Sequence, residues 1–591
     1  MSQYVPSFGA VPEREGVRFR LWAPAAHRVD VVSDSGEVLS PMRRMDGGFF
    51  DATVGAARPG LLYRYRTDGG TAYPDPASRF QPEGVHGPSM VIDPGRYRWR
   101  DGDWPGVARE DLVFYELHVG TFTPEGTFAA ARGRLPYLKE LGVTAVELMP
   151  VAEFPGRWNW GYDGAALFAP SRAYGTPDDL RAFTDEAHRV GLAVFLDVVY
   201  NHFGPDGAYA AALSPYFFTK AHTTPWGGAI NLDGEMSETV RRFFVENALH
   251  WLVEYHLDGL RLDAVHAIID ESPRHFLRQL ADEVHVLSGP RRCLVAEDHR
   301  NLNTVLAPAE ESGYGIDAVW NDDFHHQVRR LLAGDADGYF MDFTDSTREL
   351  AAILRSGWLY TGQHARYFGG RRGTDPTRIP LTRFVQFIQN HDQVGNRPTG
   401  DRITAAVPLA SFRAATALLL FAPQLPSIFM GQEWAAETPF RYFTDHGPEL
   451  GRLVTEGRKR EFQRFAGFAA EVPDPQDPST FRISRLDWNE AQREPHAGIS
   501  RLYQDFLRHR RTLAGSWTVE APAEGCLVLW RGSHRLLVAL RDGLAMPWPS
   551  ESRVIAHTEE PRYAADPQPP RFEDGTVVCR RAAAILAGPP A

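Results

Sequence analysis

Three carboxylates stand at the ends of short apolar runs. Asp263 ends the strand-like core of GLRLDAVH, Glu297 that of CLVAEDH and Asp392 that of RFVQFIQNHD. Glycoside hydrolysis requires two carboxyl groups flanking the scissile bond, one as acid and one as nucleophile or base. Its oxocarbenium-like transition state gains from further negative charge nearby. A lone aspartate at such a place serves equally well as a helix N-cap or a loop ion-pair partner. Three of them, each inside a patterned segment, call for a function, because charges at the end of a buried strand are costly to desolvate. Arg261 precedes Asp263 by two residues, so on a strand both side chains share one face. A guanidinium there is expected to keep Asp263 ionised. Glu297 is expected to stay protonated near neutral pH through burial and the like charges of Asp263 and Asp392. His202 and His391 can donate hydrogen bonds to hydroxyls at the cleavage point. No HExxH or paired-histidine spacing occurs, so the histidines do not read as metal ligands.

Such residues, far apart in the chain, need a frame that brings them to one face. From Leu112 onward, apolar runs alternate with helical patterns. The runs cover residues 112–118, 143–151, 192–202, 259–266, 293–299, 315–323, 383–392 and 426–433, eight in all. Continuous Val/Ile/Leu-rich runs suit parallel strands buried on both faces. The helices between them carry boundary signals: Thr176 as N-cap, Pro177 in the first turn with Asp178 and Asp179, and Gly191 past the end. A second helix is expected from about Ser237 to Tyr255. Eight strand–helix units predict a TIM (β/α)8 barrel. Polar residues gather at the C-terminal ends of the runs (Asp197 and His202, Asp263 and His266, Glu297, Asp322 and Asp323, His391 and Asp392, Gln432 and Glu433), the face on which barrel active sites lie. Alternating short strands before residue 95 and after residue 515 predict two flanking β-sandwiches. The expected domains are thus an immunoglobulin-like sandwich over 1–95, the barrel with insertions over 96–515 and a C-terminal sandwich over 516–591.

Composition narrows the class. The 591 residues are 43% hydrophobic and 23% charged, with a net charge of −12 that gives nucleic acid nothing to hold. Cys293, Cys526 and Cys579 are far apart and odd in number, a pattern without a disulfide framework or metal site. The first residues carry no basic-then-apolar leader and no apolar run approaches 18 residues. A soluble, cytoplasmic monomer is expected, with no membrane partner, no cofactor and no required metal.

Four segments make the resemblance specific. DVVYNH (197–202), GLRLDAVH (259–266), AED (296–298) and FIQNHDQVGN (387–396) resemble, in order and in strand position, the four signature segments of the α-amylase family of glycoside hydrolases. That resemblance implies that Asp263 is the nucleophile, Glu297 the general acid/base and Asp392 the transition-state stabiliser. It further implies that Arg261, Leu262, Ala264, Val265, His266, His202, His391, Gln393, Val394, Gly395 and Asn396 line the substrate. WNWGYDG (158–164) is similar to the family's segment that stacks a tyrosine under the reacting sugar, here Tyr162 with Asp163 beside it.

TPWGGAINLDG (224–234) and WNDDFHH (320–326) do not resemble ordinary α-amylases; together with QNHDQVGNR (389–397) they resemble one branch of the family. Within the family they imply hydrolysis of the α-1,4 bond next to the terminal trehalose of maltooligosyltrehalose. Asn321, Asp322, Asp323, Phe324 and His325 are then expected at the trehalose end, since hydroxyl-rich ligands need buried polar partners. Trp158, Trp160, Trp226, Trp320, Phe324 and Trp434 are candidate sugar platforms, with core packing as the rival role. A glycogen branching or debranching enzyme shares the same segments. A non-catalytic glucan-binding subunit is the remaining alternative, but it would be expected to lose one of the three carboxylates.

Overall fold

The computed structural model describes residues 4, 6–462, 472–548 and 552–589. Eight parallel strands close into a barrel: β1 (Phe114–Leu117), β2 (Ala145–Leu148), β3 (Ala193–Val198), β4 (Gly259–Leu262), β5 (Cys293–Ala296), β6 (Ala318–Trp320), β7 (Phe384–Phe387) and β8 (Leu425–Phe429), with β8 pairing back onto β1. Each strand falls in one of the eight apolar runs. Along the strands, period 2 sends alternate residues inward. The lower inward positions are apolar: Phe114, Ala145, Phe195, Val295, Trp320 and Phe387 share one buried cluster. One step further up, the same parity places Glu116, Glu147, Asp197 and Arg261 inside the barrel, all almost fully buried. The barrel interior therefore changes from hydrocarbon to charge along its axis. Gly259 at the foot of β4 leaves room for this packing, since a Cβ there would sit 2.2 Å from the Phe195 ring.

The helix α1 (Pro177–Val190) starts on a capping box between Thr176 and Asp179 and ends at Gly191 in the left-handed region, as the sequence predicts. The second expected helix, α2 (Ser237–Leu249), continues into a π-helical turn, His250–Glu254. α3 (Asp322–Ala333) follows β6 directly.

The N-terminal strands, from Gly9–Glu13 to Ser89–Met90, form two antiparallel sheets around a core that includes Val17, Phe19, Val31, Phe50 and Tyr65. This sandwich is bound to the barrel: Arg79 makes a two-armed ion pair with Glu254 at 3.0 and 3.2 Å, and the Ser7 N–H donates to Glu246 at 2.7 Å. A five-stranded and a three-stranded sheet between Trp517 and Gly588 make the C-terminal sandwich. It is tied in by Glu524, which accepts the Thr347 N–H at 2.9 Å, and by the buried Arg413–Glu559 pair.

Candidate active site

The arginine of β4 organises the site. Asp197 and Arg261 are register partners on β3 and β4, so they meet inside the barrel. Arg261 Nη1 donates to both oxygens of Asp197, at 2.9 and 2.8 Å, and to Asp263 Oδ1 at 2.7 Å, while Nη2 lies 3.1 Å from Glu297 Oε2. The guanidinium itself is fully buried and lies 4.2 Å above the Trp320 ring. Trp320 is thus a support beneath the arginine, held there by cation–π attraction.

Glu297 has a second anchor. Ala264 adopts a left-handed conformation (φ 40°), unusual for a residue with a Cβ, and its N–H donates to Glu297 Oε2 at 2.7 Å. Asp263 accepts the Asn201 side-chain N–H at 3.2 Å. Asp392 lies in the first turn of the short helix His391–Gly395, accepts Asn396 Nδ2 at 2.9 Å and lies 3.6 Å from His391 Nε2.

The directions of the shifts on Asp263 and Glu297 run opposite to those expected from the sequence. Burial pushes Glu297 up, but Arg261, the Ala264 N–H, His266 and His391 together outweigh it and hold the carboxyl below its ordinary range. Burial raises Asp263 well above its ordinary range, against Arg261 and with help from Glu297, Asp197 and Asp392. Asp392 is raised too, by burial and by Glu297. The two carboxyls are thus pushed in opposite directions, Asp263 upward and Glu297 downward. The reason is geometric: Glu297 receives both a guanidinium nitrogen and a main-chain N–H on one oxygen.

Tyr162 and the histidines complete the inner wall. The Tyr162 hydroxyl donates to Asp197 Oδ2 at 2.6 Å and meets His391 Nε2 at 2.7 Å, with the two rings stacked. His202 Nε2 donates to the Tyr162 carbonyl at 3.0 Å, and the exposed Trp226 lies parallel on its ring at 4.9 Å. Asp163 accepts Asn159 Nδ2 at 2.6 Å and sits 3.3 Å from His446, which fixes the loop that carries Tyr162.

Other expected residues lie elsewhere. Asp323 is fully buried and bonded to Asn301 Nδ2 (2.8 Å), the Leu359 N–H (2.7 Å) and Arg372 (2.7 Å), so it ties loops together and presents nothing to a sugar. Phe324 belongs to the main hydrophobic core, and the buried His325 pairs with His326 at 2.9 Å and stacks on Phe387. Asn321 bonds the Gly357 carbonyl. The expected trehalose-end group thus narrows to Asp322, which burial and the nearby Glu297 push up to about 8. Leu262, Val265 and Val394 are buried core residues, and Gly395 leaves room for Trp160, whose ring would sit 2.0 Å from an added Cβ. Gln393 accepts the Tyr339 hydroxyl at 3.0 Å. His266 packs its ring 4.0 Å from His299, and burial holds it below its ordinary range. Of the candidate platforms only Trp226 is exposed, at 48%; Trp158, Trp160, Trp320, Phe324 and Trp434 are all buried.

Glu116 and Glu147 were not singled out in the sequence. They are register partners on β1 and β2, and their signal was a glutamate inside an otherwise apolar run. Glu116 accepts the His391 main-chain N–H at 3.0 Å and bonds His391 Nδ1. Among the described residues, His222, Asp233 and Glu271 form one group with ligand atoms within 4.8 Å of one another, on the hairpin carrying Trp226 and the loop after β4. His222 and Asp233 already contact each other at 3.3 Å. A cavity of about 400 Å³ lined by His118, Arg157, Trp158, Tyr174, Phe481 and Arg485 holds none of the three carboxylates.

A closed (β/α)8 barrel with carboxylates from β4, β5 and the end of β7 around one arginine is the arrangement of an α-amylase-type glycoside hydrolase. Residues 94–217 match the family described as "Alpha amylase, catalytic domain", and residues 7–93 match "Carbohydrate-binding module 48 (Isoamylase N-terminal domain)". The chain is 47% identical over 506 residues to a malto-oligosyltrehalose trehalohydrolase from Deinococcus radiodurans, covering 85% of this chain and 82% of that one. It is 41% identical over 568 residues to one from Saccharolobus solfataricus, covering 95% and 98%. A crystal structure titled as a putative alpha amylase from Salmonella typhimurium superposes with a TM-score of 0.90 at 39% identity, covering 99% of this chain and 100% of that one. A 1,4-alpha-glucan branching enzyme from Kitasatospora aureofaciens is 33% identical over 54% of this chain and 46% of its own. The chain belongs to the malto-oligosyltrehalose trehalohydrolase family.

Proposed function

We infer that the chain is a retaining glycoside hydrolase that cleaves the α-1,4-glucosidic bond next to the terminal trehalose of maltooligosyltrehalose and releases trehalose. The observation that carries the chemistry is the Arg261 fork, which binds Asp197 and Asp263 through one nitrogen and reaches Glu297 through the other. Two carboxyl groups on one guanidinium are compatible with the about 5–5.5 Å separation of a retaining pair. Relatives named as trehalohydrolases, 39–47% identical over most of the chain, support the choice of bond.

In this reading Asp263 attacks the anomeric carbon and forms a glycosyl ester, while Glu297 protonates the departing oxygen of trehalose. Glu297 then takes a proton from water, which displaces the sugar from Asp263 with overall retention. For this chemistry Asp263 has to be bare and Glu297 loaded when the substrate is bound. Asp392 and Asp197 add negative charge near the oxocarbenium-like centre. Trp226 offers an exposed aromatic face for the glucan. The chain is read as a cytoplasmic monomer without a nucleic-acid partner; among the described residues no helix is long and apolar enough to cross a membrane.

The test is product analysis. Incubation with maltooligosyltrehalose is expected to release trehalose together with a shorter maltooligosaccharide that is initially the α-anomer by NMR, with far slower attack on plain maltooligosaccharide. Transfer of a glucan chain to a new branch would instead identify a branching enzyme. A β-anomeric first product would rule out retention.

A further inference from the structure

The carboxylate cluster holds Asp197, Asp263, Glu297 and Asp392 around Arg261, so one guanidinium faces four acids. His391 is the other cation within reach, and its charge is decided by its bonds. Its Nδ1 is bonded to Glu116, whose second oxygen accepts the His391 main-chain N–H at 3.0 Å. Its Nε2 meets the Tyr162 hydroxyl at 2.7 Å. Tyr162 has one proton, and it is given to Asp197 at 2.6 Å. The hydroxyl must then accept from Nε2, and both ring nitrogens carry hydrogen.

We propose that Glu116 is a positioning residue that holds His391 as an imidazolium, and so supplies the second positive charge the carboxylates of the site require. The chain runs Glu116, His391, Tyr162, Asp197, Arg261: His391 donates to Glu116 and to Tyr162, Tyr162 donates to Asp197, and Arg261 donates to Asp197 from the other side. Glu116 lies at the inner end of that chain, 1% exposed, where water cannot replace it. Burial alone would strip the proton from His391, but Glu116 and then Asp392 raise it to about 9. The groups that act on the ring come from every side: Glu116 from β1, Glu147 and Tyr162 from β2 and its loop, Asp197 from β3, Arg261 from β4, Glu297 from β5 and Asp392 beside it, with the neutral His118 beyond. Arg261 opposes the charge on His391; the carboxylates favour it. In turn His391 lowers the carboxyls of Glu297, Asp392 and Asp197. Loss of its charge would leave those acids protonated at higher pH.

The consequence for catalysis rests on the reading of Asp263 and Asp392 as catalytic carboxylates; the proton state of His391 does not, and is measured without substrate. ¹⁵N NMR of histidine-labelled enzyme, with His391 assigned by its loss in His391→Gln, is expected to show both nitrogens protonated at pH 7. In Glu116→Gln the His391 titration is expected to fall by about two pH units, and the acid limb of the kcat/KM profile to move to higher pH. Glu116→Asp, which keeps the charge, is expected to restore part of both. A neutral His391 in the parent enzyme at pH 7 overturns the proposal even if Glu116→Gln does not fold. A uniform loss of activity in Glu116→Gln with an unmoved titration overturns it as well, and leaves Glu116 a packing residue. A shifted His391 titration with an unmoved acid limb would reject instead the catalytic reading of the carboxylates.

Discussion

Arg261 Nη2 lies 3.1 Å from Glu297 Oε2, and this contact lowers the Glu297 carboxyl against its burial. A planar fork serves carboxylates on both of its nitrogens, which a single ammonium cannot do. Arg261→Lys is therefore expected to cut kcat/KM by about 100-fold or more, with the titration of Glu297 moving upward as its hold weakens. Steady-state kinetics from pH 4 to 9 check both. A loss of less than tenfold would mean that Asp197 and the Ala264 N–H suffice to set the site.

Two neighbouring aspartates are expected to fail in different ways. Asp323→Ala removes the partner of the buried Arg372 and the acceptor of two loop groups, a change expected to cost about 3–5 kcal/mol of stability. Asp322→Asn is expected to leave the melting temperature nearly unchanged. It should narrow the preference for the trehalose-ended chain over plain maltooligosaccharide, by about 1–3 kcal/mol of differential transition-state binding. Thermal melts and kcat/KM on both substrates separate the two. Equal losses on both substrates for Asp322→Asn would place the trehalose pocket elsewhere.

Trp226 is 48% exposed and stacked on His202. Trp226→Ala is expected to raise KM for the glucan with little change in stability, a loss of about 1 kcal/mol in kcat/KM. An unchanged KM at every chain length would make the indole a cover for His202 and nothing more.

Gly395 faces the fixed Trp160 ring, which is stacked on Phe440 and donates to the Arg441 carbonyl at 2.8 Å. Gly395→Ala is expected to displace the segment carrying Asp392, at a cost of about 1–3 kcal/mol in stability and a larger fraction of kcat than of KM. Calorimetry with kinetics checks it; an unaltered kcat would show that the helix His391–Gly395 absorbs the shift.

His188, at the end of α1, bridges Asp101 at 2.8 Å and Asp258 at 2.9 Å under the stacked Trp104 ring. Burial opposes its charge, but the two carboxylates raise it to about 9. Its pKa is higher folded than unfolded, so its stabilisation is complete below about pH 6.5 and is lost as pH rises through 9. The effect is bounded by about 3 kcal/mol. The melting temperature of the parent is expected to fall more steeply between pH 6.5 and 9 than that of His188→Gln; parallel slopes would assign the pH dependence to other groups.

The eight barrel strands and the meeting of Asp263, Glu297 and Asp392 were legible in the sequence. Apolar runs that end in carboxylates can satisfy burial and solvation together only if their ends share one face. Arg261 beside Asp263 followed from period 2 on one strand. What the sequence could not rank was which polar residue in a segment points at the substrate. Asp322 and Asp323 are adjacent and chemically alike, yet the turn into α3 sends one toward Glu297 and the other into a buried pair with Arg372. The opposite shifts of Asp263 and Glu297 and the contact of Glu116 with His391 were likewise set by tertiary contacts. A pKa depends on charges a few ångströms away, and those on Glu297 and His391 come from β1, β4 and the left-handed Ala264, segments that only the closed barrel brings together.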